Sequence, residues 1–247
     1  MRKHLIWVLG LALALASVGI AYGAANTETI TGTISPKKLP KKGKGAPVSL
    51  FLEVSATNSG NAFQIPNPVT LAKVDLDKDI KIQQKGLPTC DPTQFTSATT
   101  TAQAKTACSD SLVGGGSSKI AVPSATGSPP IEIAAVVTAF NGAGKTLILF
   151  TYNTLSGAQT LVGKLGPSTG GAKYGTTLTV PVPPLAGGSA VIQELNTKVS
   201  KKYHLHGNKA SYVSSTCKDK KLQFQDRFTD NQGNTAGDTF TQKCKQK

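Results

Sequence analysis

The sequence is poor in the side chains that carry much of enzyme and nucleic-acid chemistry. Its 247 residues include three histidines, four cysteines and one tryptophan, and aromatic residues make up 6% of the chain. Arginine occurs only at Arg2 and Arg227, so bidentate recognition of phosphates or base edges has almost no donor. The lack of aromatic clusters also removes the platforms on which single-stranded bases stack. These shortages count against specific nucleic-acid binding.

Long hydrophobic runs are also scarce, and the one present lies at the amino terminus. Sixteen apolar or small residues over 5–20 follow Arg2 and Lys3 and precede the small residues of 21–25. This order is typical of a secretory signal peptide, and the run is shorter than the ~20 residues of a membrane-spanning helix. We therefore predict a cleaved signal peptide over 1–25, with a retained membrane anchor as the alternative. The rest, 26–247, is predicted to be one secreted or cell-surface domain without a transmembrane segment.

Negative charge is scarce relative to positive charge. The chain has 27 basic and 13 acidic residues, for a formal net charge of +14. A lysine-rich exported surface suits solubility and loose attraction to polyanions. The densest group, a possible contact for anionic cell-wall polymers or lipid headgroups, is Lys37, Lys38, Lys41, Lys42 and Lys44. We interpret this segment as a solvated connection between two strands.

The four cysteines are Cys90, Cys108, Cys217 and Cys244. An even count in an exported chain predicts two disulfides. Three pairings are possible, and the clustering favours Cys90 with Cys108 and Cys217 with Cys244. A metal site is the alternative, but the spacing contains no C-x₂-C pair.

Apolar and polar residues alternate over most of the exported part, between turns rich in Gly, Pro, Ser and Asn. The clearest strands cover 48–54, 74–82 and 174–182, and the further candidates cover 27–35, 131–140, 146–152, 160–165, 190–201, 210–217 and 222–229. Short strands at this spacing predict an all-β fold, an antiparallel β-sandwich of about 10–12 strands. Pro181 predicts that its strand lies at an edge, because proline donates no ladder hydrogen bond.

One segment has helical periodicity. Ala104, Cys108 and Leu112 are spaced by four within 100–113, and the glycines of 114–116 follow as a C-terminal stop. We predict one short helix here, anchored through Cys108 to Cys90.

Several motifs resemble catalytic or metal sites without meeting their structural requirements. Residues 139–146, AFNGAGKT, resemble a phosphate-binding loop, but a strand run follows where a helix is required, which favours a hairpin. The GPSTG of 166–170 resembles a hydrolase elbow around Ser168, with His204 and His206 later in the chain, yet it precedes a strand instead of a helix.

The two histidines and a group of aspartates are weak metal candidates. His204 and His206 lack a third ligand in sequence, and we expect them to lie at the surface. The aspartates at 75, 77 and 79 imitate the start of a calcium loop but lack its glycine and final glutamate. We predict that they form a solvated strand face beside Lys73 and Lys81.

Seven short blocks carry a resemblance: VDLDKD at 74–79, GLPTC at 86–90, LVG at 112–114, FNG at 140–142, YGTTL at 174–178, SYV at 211–213 and FTD at 228–230. Together they resemble a group of secreted bacterial proteins of actinobacterial type. The resemblance implies export and a β-rich fold, and it implies no activity, cofactor or catalytic residue.

The sequence thus favours a secreted, non-enzymatic binding or structural protein with weak affinity for anionic polymers. No catalytic, cofactor or metal residue is predicted. The alternatives are an extracellular hydrolase that uses Ser168 with His204 or His206, and a carrier that holds a lipid or small ligand between its sheets. Close packing throughout the interior would count against the carrier.

Overall fold

The computed structural model describes residues 25–124, 128–188 and 190–247. These ranges are mostly β, with one α-helix. The predicted signal peptide falls outside them except for Ala25. No helix in the described part of the chain is long and apolar enough to cross a membrane.

The strands are, in chain order, β1 (Thr27–Ser35), β2 (Lys38–Leu39), β3 (Ala46–Pro47), β4 (Ser49–Thr57), β5 (Val69–Asp77), β6 (Ile80–Ile82), β7 (Leu112–Val122), β8 (Ile131–Gly142), β9 (Thr146–Asn153), β10 (Gly157–Pro167), β11 (Tyr174–Pro181), β12 (Val191–Val199), β13 (Lys202–Leu205), β14 (Asn208–Ser211), β15 (Val213–Ser215), β16 (Lys221–Asp230), β17 (Thr235–Ala236), β18 (Thr239–Lys243) and β19 (Lys245–Gln246). The helix α1 covers Thr101–Ala107, and short 3₁₀ turns cover Pro92–Gln94, Ser109–Ser111 and Ala186–Gly188.

Twelve of these strands form one antiparallel sheet. Its order is β1-β4-β12-β7-β8-β9-β10-β11-β5-β16-β17, and β18 pairs with β16. The first strand of this order lies against β16 and β18, so the sheet curls back on itself and is nearly closed, like a barrel. The predicted all-β, antiparallel class is confirmed. The arrangement is a continuous barrel-like sheet where the sequence predicted two sheets of a sandwich.

Alternation along β1 shows how the sequence builds this wall. Residues from Thr27 to Ser35 alternate between exposed and buried positions along the whole strand. Ile30 and Ile34 point inward and are at most 2% exposed, while the β-branched threonines between them face solvent. A strand with this period has one face committed to the core, which fixes its register.

The closing seam between β1 and β18 is made by side chains instead of a backbone ladder. The Gln242 side chain accepts a hydrogen bond from the Ile34 backbone N–H at 2.6 Å and donates one to the Ile34 carbonyl at 3.1 Å. Asp238 accepts from the Ile30 N–H at 3.2 Å. These bonds satisfy buried backbone groups that an open sheet edge would leave without partners.

Pro181 lies in an interior strand, so the edge prediction was wrong. β11 pairs with β10 on one side and β5 on the other. The ladder with β10 extends only to Thr179 of β11, and Pro181 lies beyond it. The missing N–H therefore interrupts no hydrogen bond with β10.

The helix is confirmed but is shorter than predicted. Thr100 caps α1 in a capping box with Gln103, and the helix ends at Ala107, with Cys108 as its C-cap. The glycines that follow belong to β7 instead of a helix stop. A Cβ atom on Gly114 would lie 2.0 Å from the Lys198 carbonyl oxygen, so glycine there permits close approach to β12.

Both predicted disulfides are present, Cys90–Cys108 and Cys217–Cys244. The first holds the segment around α1 against the outer face of β8 and β9, where its buried residues form a second, smaller core. Phe95 of this segment packs on Phe140 and Phe150, with ring centroids 5.7 and 4.9 Å apart.

Candidate functional site

The inside of the barrel contains an apolar cavity. Its volume is about 270 Å³. Most of its wall is aliphatic. Strands β4, β5, β9, β10, β11 and β12 supply many of these residues, among them Leu50, Leu52, Val54, Val74, Leu76, Leu147, Leu149, Leu161, Leu178, Val180, Leu195 and Val199. Such a lining excludes charged groups and favours hydrocarbon.

The two ends of the cavity differ in exposure. At one end the lining includes Pro183, Pro184 and Asn231, which are exposed and lie just beyond the ends of β11 and β16. At the other end the lining includes Tyr212, which is 1% exposed, and Leu76, which is 3% exposed. We call the exposed end the mouth and the buried end the base.

Among the described residues, the cavity wall holds no Asp, Glu, His, Lys or Arg side chain. The polar side chains that line it include Gln193 and Thr197 on β12 and Tyr212 at the base. The Oε1 of Gln193 and the Oγ1 of Thr197 are buried without a hydrogen-bond partner. Burial raises the pKa of Tyr212, which keeps its hydroxyl neutral.

Two buried carboxyl groups lie on the inner faces of the strands beside the seam. Glu28 of β1 is 5% exposed and Asp226 of β16 is 0% exposed. Burial, and then the nearby charge of Asp226, raises the pKa of Glu28 to about 8. Burial likewise raises the pKa of Asp226 to about 6. Glu28 therefore carries a proton at neutral pH, which removes most of the cost of burying it.

The aspartates of the calcium-like motif are buried, so the predicted solvated face was wrong. Asp75 is 0% exposed and pairs with Arg227, whose Nη2 lies 2.6 Å from Oδ2. The Ser168 hydroxyl donates to Asp75 Oδ1 at 2.5 Å, and Thr177 donates to the same oxygen. The loop between β10 and β11 covers this face of β5, a long-range contact that strand periodicity does not report.

The other two aspartates of that motif are tied to backbone groups. Asp77 accepts hydrogen bonds from the N–H groups of Asp79 and Gln223, both within 2.9 Å. Asp79 accepts from the Lys218 N–H at 2.8 Å and forms an ion pair with the Lys218 ammonium at 3.1 Å. These carboxylates act as structural acceptors. In the ranges that the structure describes, no group of three or more His, Cys, Asp or Glu could hold a metal ion.

The residues of the hydrolase alternative take structural positions. Ser168 Oγ donates to Asp75 and accepts from the Gly170 N–H at 3.0 Å. His204 and His206 lie exposed on the β13–β14 hairpin, as the sequence predicted. The elbow-like segment leads into strand β11, without the helix that a nucleophile elbow requires.

The phosphate-loop-like segment is a hairpin between β8 and β9, as predicted. The turn is formed by Ala143, Gly144 and Lys145, and the last two have positive φ angles of 65° and 64°. Asn141 is buried before the turn, and its side chain donates to the Pro88 carbonyl at 3.0 Å. A strand follows, so no helix N-terminus is available to bind phosphate.

The predicted polyanion-contact lysines are all exposed on the segment between β1 and β4. This segment is not free, because β2 within it pairs in parallel with the C-terminal strand β19. Lys245 N donates to the Lys37 carbonyl at 2.8 Å, and Lys247 N donates to the Leu39 carbonyl at 2.9 Å. The fold thus joins two lysine-rich segments that are about two hundred residues apart in sequence.

Sequence reasoning did not locate the cavity, although one signal for it was present. Chains with few aromatic residues have few large side chains to fill a wide barrel. Among the described lining residues the aromatic ones are Tyr212 and Phe228. Small and aliphatic residues on so many strands leave open space in the middle.

Comparisons with protein-family models, with curated proteins and with solved structures found no match to this chain.

Proposed function

We propose that this protein is an exported, non-enzymatic carrier that holds one neutral, hydrocarbon-rich molecule inside its barrel. The observation that carries the proposal is the apolar cavity of about 270 Å³ with no Asp, Glu, His, Lys or Arg among its described lining residues. Export is supported by two disulfides, which are typical of oxidising compartments. Membership of the secreted bacterial group that the motifs resemble is part of the same proposal.

The size of the cavity supports its interpretation as a ligand-binding site instead of a packing defect. An apolar cavity of ~150 Å³ is large enough to bind benzene, and small-molecule sites begin near ~300 Å³. The cavity here lies between these values and opens at one end of a twelve-stranded sheet. Barrels of this kind enclose ligand sites when their interior side chains do not fill them.

Filling the cavity with a larger side chain tests the proposal. Ala72 lines the cavity from β5, so Ala72→Phe places a ring in the space that the ligand would occupy. Ala134 lies exposed on the outer face of β8, and Ala134→Phe is the matched control. The probe is the uncharged fluorophore N-phenyl-naphthylamine, whose emission rises in an apolar environment.

We expect saturable binding of one probe molecule to the wild type and to Ala134→Phe. Ala72→Phe should weaken that binding at least tenfold, because the ring removes the apolar volume. The melting temperature of each variant shows that it is folded. Absence of saturable binding to the wild type, or equal affinity in the folded Ala72→Phe variant, would contradict a carrier function.

A further inference from the structure

We propose that the end of the barrel opposite the mouth is a binding surface for a flexible, phosphate-rich polyanion. We call this surface the basic end and define it by ten exposed lysines: Lys37, Lys38, Lys41, Lys42, Lys44, Lys220, Lys221, Lys243, Lys245 and Lys247. It extends beyond the predicted loop lysines, because half of its residues come from the last thirty of the chain.

Tertiary contacts assemble the basic end from three segments. β19 pairs with β2 so that Lys245 lies opposite Lys38. β16 pairs with β18 so that Lys221 lies opposite Lys243. The Cys217–Cys244 disulfide joins the second and third segments, and the Cys217 N–H donates to the Pro40 carbonyl at 2.9 Å, which ties them to the first.

The charge of this surface is almost unopposed. Segments 36–47, 217–221 and 243–247 contain one acidic residue, Asp219. Lys218 is already paired with buried Asp79 and is therefore not counted in the surface. Ten ammonium groups on three segments that are tied together in this way raise the local concentration of a polyanion and release its counterions on binding.

The chemistry of the surface favours a polymer over a membrane. Lysine ammonium groups bind phosphate as point charges without demanding a fixed geometry, which suits a flexible chain. Membrane-surface proteins commonly add apolar side chains that enter the lipid. The exposed large hydrophobic residues of the described chain are Phe63, Ile131, Val136, Leu155 and Val162, and none lies in the three segments of the basic end.

Strand direction places the basic end opposite the mouth. β1 runs from Glu28, which pairs with Ala56 in the mouth-side wall, to Ser35, which leads directly into the lysine segment. β16 runs in the opposite sense, from Lys221 at the basic end to Asp230, next to Asn231 at the mouth. A polyanion bound at the basic end therefore leaves the mouth uncovered.

The test measures binding of the full exported chain to immobilised long-chain polyphosphate. One variant changes the five loop lysines, 37, 38, 41, 42 and 44, to Gln. A second changes Lys220, Lys221, Lys243, Lys245 and Lys247 to Gln. The control changes five exposed lysines outside this set of ten, at 85, 105, 164, 173 and 209, and so removes the same charge.

We expect each basic-end variant to weaken binding at least tenfold, and the control variant to change it less than threefold. Raising salt from about 50 to 200 mM should also weaken wild-type binding more than tenfold, because counterion release drives it. Equal losses in all three variants would show that only net charge matters and would overturn the site. Tighter binding to phosphatidylglycerol vesicles than to polyphosphate would overturn the choice of partner.

Fluorophore binding gives an independent readout. Saturating polyphosphate should leave the affinity of N-phenyl-naphthylamine unchanged, since the two sites lie at opposite ends. Competition between the two would contradict the placement. Absence of fluorophore binding would count against the carrier function and leave the polyphosphate comparison valid, with melting temperatures as the check on folding.

Discussion

The side chain of Gln242 takes the place of a β-strand partner for Ile34. Its amide oxygen accepts from the Ile34 N–H at 2.6 Å, and its amide nitrogen donates to the Ile34 carbonyl at 3.1 Å. Both residues are buried, Ile34 at 0% and Gln242 at 6% exposure. One side chain therefore completes the barrel at a point where β1 and β18 form no ladder.

Removing that amide should destabilise the barrel. Gln242→Leu leaves a buried N–H and a buried carbonyl of Ile34 without partners, so we expect the free energy of unfolding to fall by about 2–4 kcal/mol. Gln225→Leu is the control, because Gln225 lies on the opposite face of the neighbouring strand β16. Urea unfolding at neutral pH measures both. Equal effects of the two substitutions would contradict a special role for the seam.

Stability should fall as pH rises above the unfolded-state pKa of glutamate. Glu28 has its pKa raised from 4.5 to about 8, so between these values the folded state holds a proton that the unfolded state has lost. The free energy of unfolding should therefore fall by up to about 1.4 kcal/mol per pH unit in that window. Asp226, with its pKa raised from 3.8 to about 6, adds a loss of the same sign in its own window.

Glu28→Gln tests this dependence, because glutamine is neutral at every pH. We expect this variant to have a flatter stability profile between pH 5 and 8 and to be more stable than wild type at pH 8. Glu132→Gln is the control, since Glu132 is an exposed partner of Lys119. A steep profile retained in Glu28→Gln would assign the dependence to another group.

Ser168 should not behave as a catalytic nucleophile. Its hydroxyl donates to Asp75, and that carboxylate is also held by Arg227, so this contact ties the serine into a structural ion pair instead of pairing it with a free base. We expect a fluorophosphonate probe to leave the native protein unlabelled, with an active serine hydrolase as the positive control. Labelling that Ser168→Ala abolishes would support the hydrolase alternative.

The Cys217–Cys244 disulfide should order the basic end as well as stabilise the fold. Its cysteines are 27 residues apart, so replacing both with Ala is expected to lower the free energy of unfolding by about 3 kcal/mol. Amide exchange at Lys245 and Lys247 should also accelerate, because their N–H groups donate to β2 and its neighbour Lys37.

The matched control replaces Cys90 and Cys108, which are 18 residues apart and anchor the helix segment instead. That variant should lose a similar amount of stability and keep slow exchange at the C-terminus. Similar acceleration at Lys245 in both variants would show that exchange reports global unfolding.

Local sequence patterns correctly predicted the structural features that depend on a single strand or on two neighbouring strands. The alternation from Thr27 to Ser35, the presence of a hairpin within 139–146 and both disulfide pairings were correct. The start of the helix was also correct, because a Thr and a Gln three residues apart form a capping box from local contacts alone.

Where the local patterns gave a wrong prediction, contacts between residues far apart in the chain explain the difference. The periodicity that put Asp75 on an outward face was correct, but a loop from the β10–β11 connection buries that face. Gly114 was predicted to be part of a helix stop, but it lies in a strand, where the absence of a side chain permits the close approach of Lys198. Pro181 was tolerated inside the sheet because the β10 ladder ends before it.

By itself, the sequence determined that this chain is antiparallel, β-rich and joined by two local disulfides, because alternation and loop closure depend on neighbouring residues. Tertiary structure alone decided that the sheet curls into a barrel, that an apolar cavity of about 270 Å³ remains inside, and that distant lysines meet at one end. The reason is physical: strand order and the volume left between walls depend on contacts between residues far apart in the chain, and no local period encodes them.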